Sequence, residues 1–571
     1  MGRLQPLRSR LVAVATPVFR SEARRRLVAG LVLLTVLLLA VNFLNVGNNY
    51  VTRDLMTALA QRQEARFYAK ALTLVAIFAV STIAAVYARF VEERLGLLWR
   101  YWLTRHFLDR YLGDRAYRRL VGRADVDNPD QRISEDIKTF TTSTLSLLIL
   151  FFNAAVTIVT FSSVLGSITP WLFVAAVAYA VLGSFSAIGL GRSLVGLDNQ
   201  QFRKEADFRY GLVRLREHAG SVAQMAGERD EKARLMLRLH ALVANLRNII
   251  FVNRNLGFFT NGYNYLTQII PIAIVAPLYI KGRVEFGTVA QAAMAFTFTL
   301  SAFSLIVTQF QQLSSYAAVV NRLGALWEAT TDTSPSRPDL PRKGLVVDVD
   351  PGTHRLAYEG VTLETPRERR LLVRDLSFEL HEGQRLIVTG ANGAGKTALF
   401  LATAGLWEGG RGRIVRPAAP HAMFLPQQPY AVGGKLRDHL LYGLKRDSID
   451  DERVDDVLRL VGLKGVVERG GGLEAEGDWP NVLSEGELQR FALARLLLAN
   501  PRFAFLDQAA SVLDAASEQQ LYEALSRSDI SYMSVGDHPA LFAYHDLRLE
   551  LHGDGAWTLT QTERHSARVR R

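Results

Sequence analysis

The chain has 571 residues, of which 49% are hydrophobic and 21% charged, with a formal net charge of +12 and no cysteine. That length exceeds one hydrophobic core. The hydrophobic share is high for a soluble protein, while the charge is too high for a chain lying wholly in a membrane. The missing thiols exclude disulfides, cysteine-ligated metals and thiol catalysis. The basic excess lies beside apolar runs, as in the cytoplasmic loops of membrane proteins, and so reads as a topology signal rather than a nucleic-acid footprint.

The first apolar run, residues 27–45, follows Arg24, Arg25 and Arg26. It outlasts the apolar core of a secretory signal, and no small-residue cleavage site follows, so it reads as an uncleaved span. A second run covers residues 71–88. The charge-free stretch 139–191 has room for two spans of about 20 residues each, turning at 166–170. Residues 255–280 form the fifth run, and 286–321 hold the sixth with an extension. A six-helix, all-α membrane domain is therefore expected. The N-terminus and the loops 89–138 and 192–254 are rich in Lys and Arg; loops 46–70, 166–170 and 281–285 are short or less basic. The positive-inside rule then places both termini and the two long loops in the cytoplasm. Mixed charge at helical spacing predicts that the long loops continue as helices beyond the bilayer, suited to docking on the rest of the chain. Polar residues recur in the last two runs: Asn261, Tyr263, Asn264, Gln268, Gln291, Gln309, Gln311 and Gln312. A hydrophilic pathway and hydrogen bonding between helices explain them about equally well.

The Pro/Ser/Thr-rich stretch 328–344 has no periodicity and marks a boundary. The membrane domain is placed at 1–327, a linker at 328–342 and a second domain at 343–571. That second domain opens on chemistry. Residues 390–397 read Gly-Ala-Asn-Gly-Ala-Gly-Lys-Thr, a complete G-x-x-x-x-G-K-[ST] loop between an apolar strand and a helix. The backbone of Gly390, Asn392, Gly393, Ala394, Gly395, Lys396, Thr397 and Ala398 is expected to cradle the phosphates of ATP. Lys396 would reach their outer oxygens and Thr397 would hold Mg²⁺ at the helix N-terminus. The apolar strand 503–507 ends in Asp507, the acid a Mg²⁺–nucleotide site requires, and Gln427 is a further candidate for the metal. A helix opens at Leu483, Ser484, Glu485, Gly486 and Glu487, with Ser484 and free N–H groups suited to an anion. Ser511 and Asp514 follow, then Asp537 and His538.

In this order the motifs resemble the nucleotide-binding domain of ABC transporters, an α/β P-loop fold, over residues 343–560. The resemblance assigns phosphate loop, Q-loop (Gln427), signature (483–487), acidic strand end, D-loop (Ser511, Asp514) and switch region. In the membrane half, Asp127, Asn128, Pro129, Asp130, Gln131 and Arg132, the stretch 208–217 and the pair Gly227-Glu228 are similar to the SbmA/BacA-related members, cousins of the peroxisomal fatty-acyl transporters. The family implies that 127–132 is a coupling segment. It further implies one half-transporter per chain in the bacterial inner membrane, working as a dimer in which one copy's signature completes the other's ATP site. Bacterial members take up hydrophilic cargo such as peptides or cobalamin. Homodimer and heterodimer both stay open, as do a nucleotide-gated passive channel and an acyl-CoA or lipid cargo. Two departures from the family bear on the chemistry. Gln508 stands where a glutamate orients or deprotonates the attacking water, and an amide cannot take a proton at neutral pH. Asp537 aligns with the switch histidine, leaving His538 one residue late. The usual adenine-stacking position carries Thr365-Pro366, with no aromatic, and Glu485 replaces a signature glycine. ATP binding with slow hydrolysis is the expectation.

Overall fold

The computed structural model describes residues 7–120, 126, 128–305, 309–331, 344–366, 368–407, 409–444 and 449–562. The chain divides into two compact units, Met1–Ser334 and Pro335–Arg571. The first is helical, with α1 (Arg24–Ala60), α2 (Glu64–Leu112), α3 (Ile137–Ile168), α4 (Pro170–Glu217), α5 (Glu228–Ile280), α6 (Gly287–Phe303) and α7 (Phe310–Thr331). Thr169 turns extended, and Pro170, whose missing N–H costs nothing at a helix start, opens α4. Helices α2, α4 and α5 run well past their apolar stretches into charged sequence, the continuation expected of the long loops.

Among the described residues, four helical stretches are long and apolar enough to cross a membrane: Arg24–Ala60, Glu64–Leu112, Pro129–Ile168 and Glu228–Ile280. The apolar stretches Pro170–Ser186 and Gly287–Phe303 are shorter, so six full spans are not established. The second of these ends at Ser304, and residues 306–308 lie outside the described set.

Two cores hold this unit. One joins Leu27 and Leu34 of α1 to Trp99, Leu103 and Phe107 of α2, Phe140 of α3 and Leu323 and Leu326 of α7. The other packs Phe161 and Leu165 of α3 against Leu172 and Ala176 of α4, Val275 of α5 and Ala292, Ala295 and Phe296 of α6. Small residues set the close approaches, as membrane helix packing requires. Tyr179 and Tyr263 stack with ring centroids 4.3 Å apart and planes within 4°. Each hydroxyl donates to the other residue's backbone carbonyl, at 2.8 and 3.2 Å, and Gly183 leaves room for the Tyr263 ring.

The second unit is α/β. A mixed sheet of β1 (Leu345–Asp350), β2 (Arg355–Glu364), β3 (Leu371–His381) and β5 (Gly410–Pro417) runs in the order β1-β5-β2-β3. The larger sheet contains β4 (Arg385–Gly390), β6 (Ala422–Leu425), β7 (Phe503–Asp507), β8 (Ser531–Val535), β9 (Leu547–Leu551) and β10 (Trp557–Gln561). Its order is β10-β9-β4-β8-β7-β6, parallel except for β10. Strands β7 and β8 are buried along their whole length, which is why they read as unbroken apolar runs. Central β4 is flanked by β9 and β8, with β7 next. The loops after β4, β7 and β8 therefore leave the same edge, where an open parallel sheet binds its ligand.

At Gly287 an added Cβ would lie 1.8 Å from the Arg53 carbonyl oxygen, whereas at Gly166 it would meet nothing within 4 Å. Gly287→Ala is expected to lower the thermal inactivation midpoint in detergent, at an overpacking cost of about 1–3 kcal/mol. Gly166→Ala should leave it unchanged.

Candidate functional site

The loop after β4 is built on glycines for steric reasons. Gly390 has φ of 140°, and a Cβ there would lie 2.3 Å from the Leu551 carbonyl oxygen of β9. Gly395 has φ of 107° with Leu372 close by, and directly precedes helix α8 (Lys396–Thr403). Ala394 and Ala398 are buried, while Asn392, Gly393 and Thr397 face solvent. Backbone N–H groups and a helix start thus converge on one point, the arrangement that cradles phosphate.

Lys396 is buried, at 6% exposure, and its ammonium donates to the Gly390 carbonyl. Its other partner is Asp537, at 2.7 Å from Nζ to Oδ2. The second carboxylate oxygen of Asp537 accepts the Gly390 N–H at 3.1 Å. Asp537 therefore binds two donors of the phosphate loop at once. His538 faces elsewhere, with Nδ1 3.0 Å from Glu518 Oε2. The chain brings Asp537 to the loop and leaves His538 beside α10 (Ala515–Arg527).

Asp507 is 5% exposed, and its Oδ1 has no hydrogen-bond partner. Burial pushes its carboxyl up, opposed by a hydrogen bond from Thr397 and by the charge of Lys396. A buried, orphaned carboxylate oxygen beside a hydroxyl at a helix N-terminus fits Mg²⁺. Thr397 and Asp507 would hold the ion, while the side-chain amide of Gln427 bonds Gln508. When bound, the metal supplies charge neutralisation between phosphate oxygens.

Gln508 follows Asp507 in the left-handed region, at φ of 49°. Its Oε1 accepts from Gln427 Nε2 at 2.9 Å, so these two side chains are in direct contact. A carboxylate at 508 would accept the same bond, so the amide changes basicity and little else.

Ser484 caps helix α9 (Glu485–Ala499) in a reciprocal box with Glu487, whose carboxylate also takes Arg469 at 2.6 Å. Burial works against the Glu487 charge, but the Ser484 N–H and Arg469 prevail and hold its pKa low. Leu483 is buried; Glu485 is exposed and Gly486 half-buried at the helix start. Asp514 caps α10, accepting from the Ser517 N–H and hydroxyl, both at 2.9 Å, and the Ser511 N–H closes a turn on the Gln508 carbonyl.

Two residues went unassigned in the sequence. Gln489, 1% exposed, donates to the Gln427 carbonyl and accepts the Val512 N–H, both at 3.3 Å. It ties the segments at Gln427 and Val512 to α9, and its place early in the second turn of a capped helix was the available signal. Arg370 donates from Nη2 to the Gly393 carbonyl at 3.3 Å, and its backbone N–H bonds the Thr365 hydroxyl oxygen at 2.9 Å. Nothing in its local sequence marks it.

In the first unit, Asn128 is left-handed and precedes the single turn Pro129–Gln131. Asp130 and Gln131 are at the surface, and buried Arg132 donates to the Arg322 carbonyl at 2.7 Å. Arg322 in turn grips Asp136 with two bonds of 2.6 and 2.7 Å. Asp127 lies outside the described residues.

Comparison with known proteins matches residues 15–280 to the ABC transporter transmembrane region 2 family and 373–511 to the ABC transporter family. The chain is 39% identical to an uncharacterised ABC transporter ATP-binding protein of Synechocystis, over 96% of this chain and 85% of that one. Identity is 35% to the chloroplastic ABC transporter D family member 2 of Arabidopsis thaliana, covering 96% and 87%. It is 32% to the lysosomal cobalamin transporter of Homo sapiens, covering 86% of each. A solved bacterial Atm1-family ABC exporter with ATP bound superposes with a TM-score of 0.74 over 96% of both chains at 18% identity, a likeness of fold.

Asp537→Ala should tighten ATP binding about five-fold, on the order of 1 kcal/mol for a half-exposed ion pair that a triphosphate must displace. Titration with a fluorescent ATP analogue measures it. Gln508→Glu is expected to raise turnover by roughly 10² or more, and Asp537→His added to it should raise turnover further. Lys396→Ala should abolish nucleotide binding in every background.

Proposed function

We propose, for a chain that belongs to the ABC transporters with fused transmembrane and ATP-binding regions and has D-family relatives, that it is half of an ATP-driven importer of a hydrophilic solute. Two copies would form the working unit in a bacterial inner membrane, each contributing six helices, with both termini and the ATP-binding unit in the cytoplasm. ATP hydrolysis is the energy source that the family provides. The observation carrying the dimer is that one chain holds a single phosphate loop and a single signature helix. In this reading Leu483, Ser484, Glu485, Gly486 and Glu487 serve the other copy's ATP. Ser511 and Asp514 would line the shared site, and 127–132 would transmit its state to the membrane helices.

A cobalamin-like or peptide-like cargo is favoured by the name of the human relative and by the SbmA/BacA likeness of the membrane half. Lipid or acyl-CoA is the competing cargo. A second reading has an observation of its own: Gln508 and Asp537 make this the impaired half of a heterodimer, whose competent partner would use the signature offered here.

Purified chain should migrate as two copies of 63.5 kDa in detergent and in lipid. Reconstituted vesicles should accumulate labelled cobalamin or peptide with ATP, and lose that activity with Lys396→Ala. Movement of phospholipid or acyl-CoA alone would reverse the cargo assignment, and a monomeric mass would remove the dimer.

A further inference from the structure

Four of the polar residues of the last two apolar runs separate into two kinds by their surroundings. The Gln291 side chain on α6 is buried, at 2% exposure, where the residue's backbone carbonyl accepts from Asn49 on α1 at 3.1 Å, so it belongs to helix packing. Asn261, Asn264 and Gln268 on α5 are exposed. Spacings of three and four residues place these three on one face of the helix.

Helix α5 then has three distinct faces. The packed face carries Tyr263, Thr267, Pro271 and Val275, one turn apart, against α4 and α6. A second face presents Leu266 and Ile269, 49% and 57% exposed and wholly apolar, as lipid requires. The third is the amide face. No charged residue occurs from Asn255 to Ile280, and the helix qualifies as a membrane span. An exposed amide side chain in such a span needs water or a hydrogen-bonding ligand, because hydrocarbon satisfies neither its donors nor its acceptor.

We propose that the Asn261–Asn264–Gln268 face lines a water-filled path and holds the transported solute by uncharged hydrogen bonds; this rests on the transporter reading above. The three amides offer both donors and acceptors over about 10 Å of helix, roughly the reach of three extended peptide units. Their chemistry selects a solute rich in amide or hydroxyl groups rather than an acyl chain. The ammonium or carboxylate partners that would hold an ionic headgroup are missing from this stretch of α5.

The chain has no cysteine of its own, so single cysteines can be read without background. Full-length protein in lipid vesicles, with cysteine at 261, 264 or 268, is exposed to a charged, membrane-impermeant methanethiosulfonate. Modification needs a hydrated thiolate, so these positions should react at least about ten-fold faster than Leu266→Cys and Ile269→Cys. A hexaglycine peptide should slow labelling at the three positions and leave the two controls unaffected. Tyr265→Cys, on the flank of the amide face, replaces any variant that no longer binds ATP. Equal rates on both faces overturn the proposal. So does oxidative cross-linking of 264 to its counterpart with no access for the reagent, which would make the face a contact between copies. Protection by acyl-CoA but not by hexaglycine overturns the solute class. Solute uptake with an unreactive amide face would refute this inference alone, whereas fast labelling without ATP-driven uptake would count against the transporter reading.

Discussion

A buried ammonium is the constraint on which the nucleotide site depends. Lys396 leaves water to stand under its own loop, and a charge so placed demands an anion and fixed dipoles around it. The loop glycines exist to bring those dipoles close: Gly390 lies against the β9 backbone and Gly395 against β3, where side chains would clash. Asp507 sits at the end of buried β7, one strand beyond β8, with one oxygen unpaired. The pocket is thus preset for a ligand carrying both negative charge and a divalent cation. Asp537 supplies the negative charge from within the chain. It makes ATP a competitor for a lysine that already has a partner.

The membrane unit answers to the same physics with the signs removed. Low dielectric favours polar groups that find partners, and several are easily recognised: Asn42 with Asn153 and Thr157, the Asn49 amide N–H with the backbone of Gln291, Thr57 with the N–H of Gly287. These fasten helices together. Polar groups left at the surface of a span are of another kind, and α5 carries them on one face beside an apolar one.

Features that depend on local spacing were legible in the sequence. The phosphate loop, the apolar strand ending at Asp507 and the capped helix opening at Ser484 each state their own geometry in a few consecutive residues. The long helical extensions also followed from periodicity. What escaped depends on residues distant in the chain. Gln489 is an ordinary helix residue until β6 and the D-loop fold over it, and Arg370 acquires meaning only when β3 passes the phosphate loop. The same limit applied to the polar residues of the last two runs, since composition cannot say whether Gln291 and Gln268 face the same surroundings. Span counting met a different limit: charge-free length predicted six, while described helices of sufficient length and apolarity number four.

The Tyr179–Tyr263 clasp has a mechanical consequence. Two parallel, stacked rings with crossed hydrogen bonds resist both sliding and twisting of α4 against α5, and the small Gly183 lets the helices close on that joint. Two rods pinned this way share one axis of rotation. A tilt imposed on one of them would therefore be carried to the other at that joint.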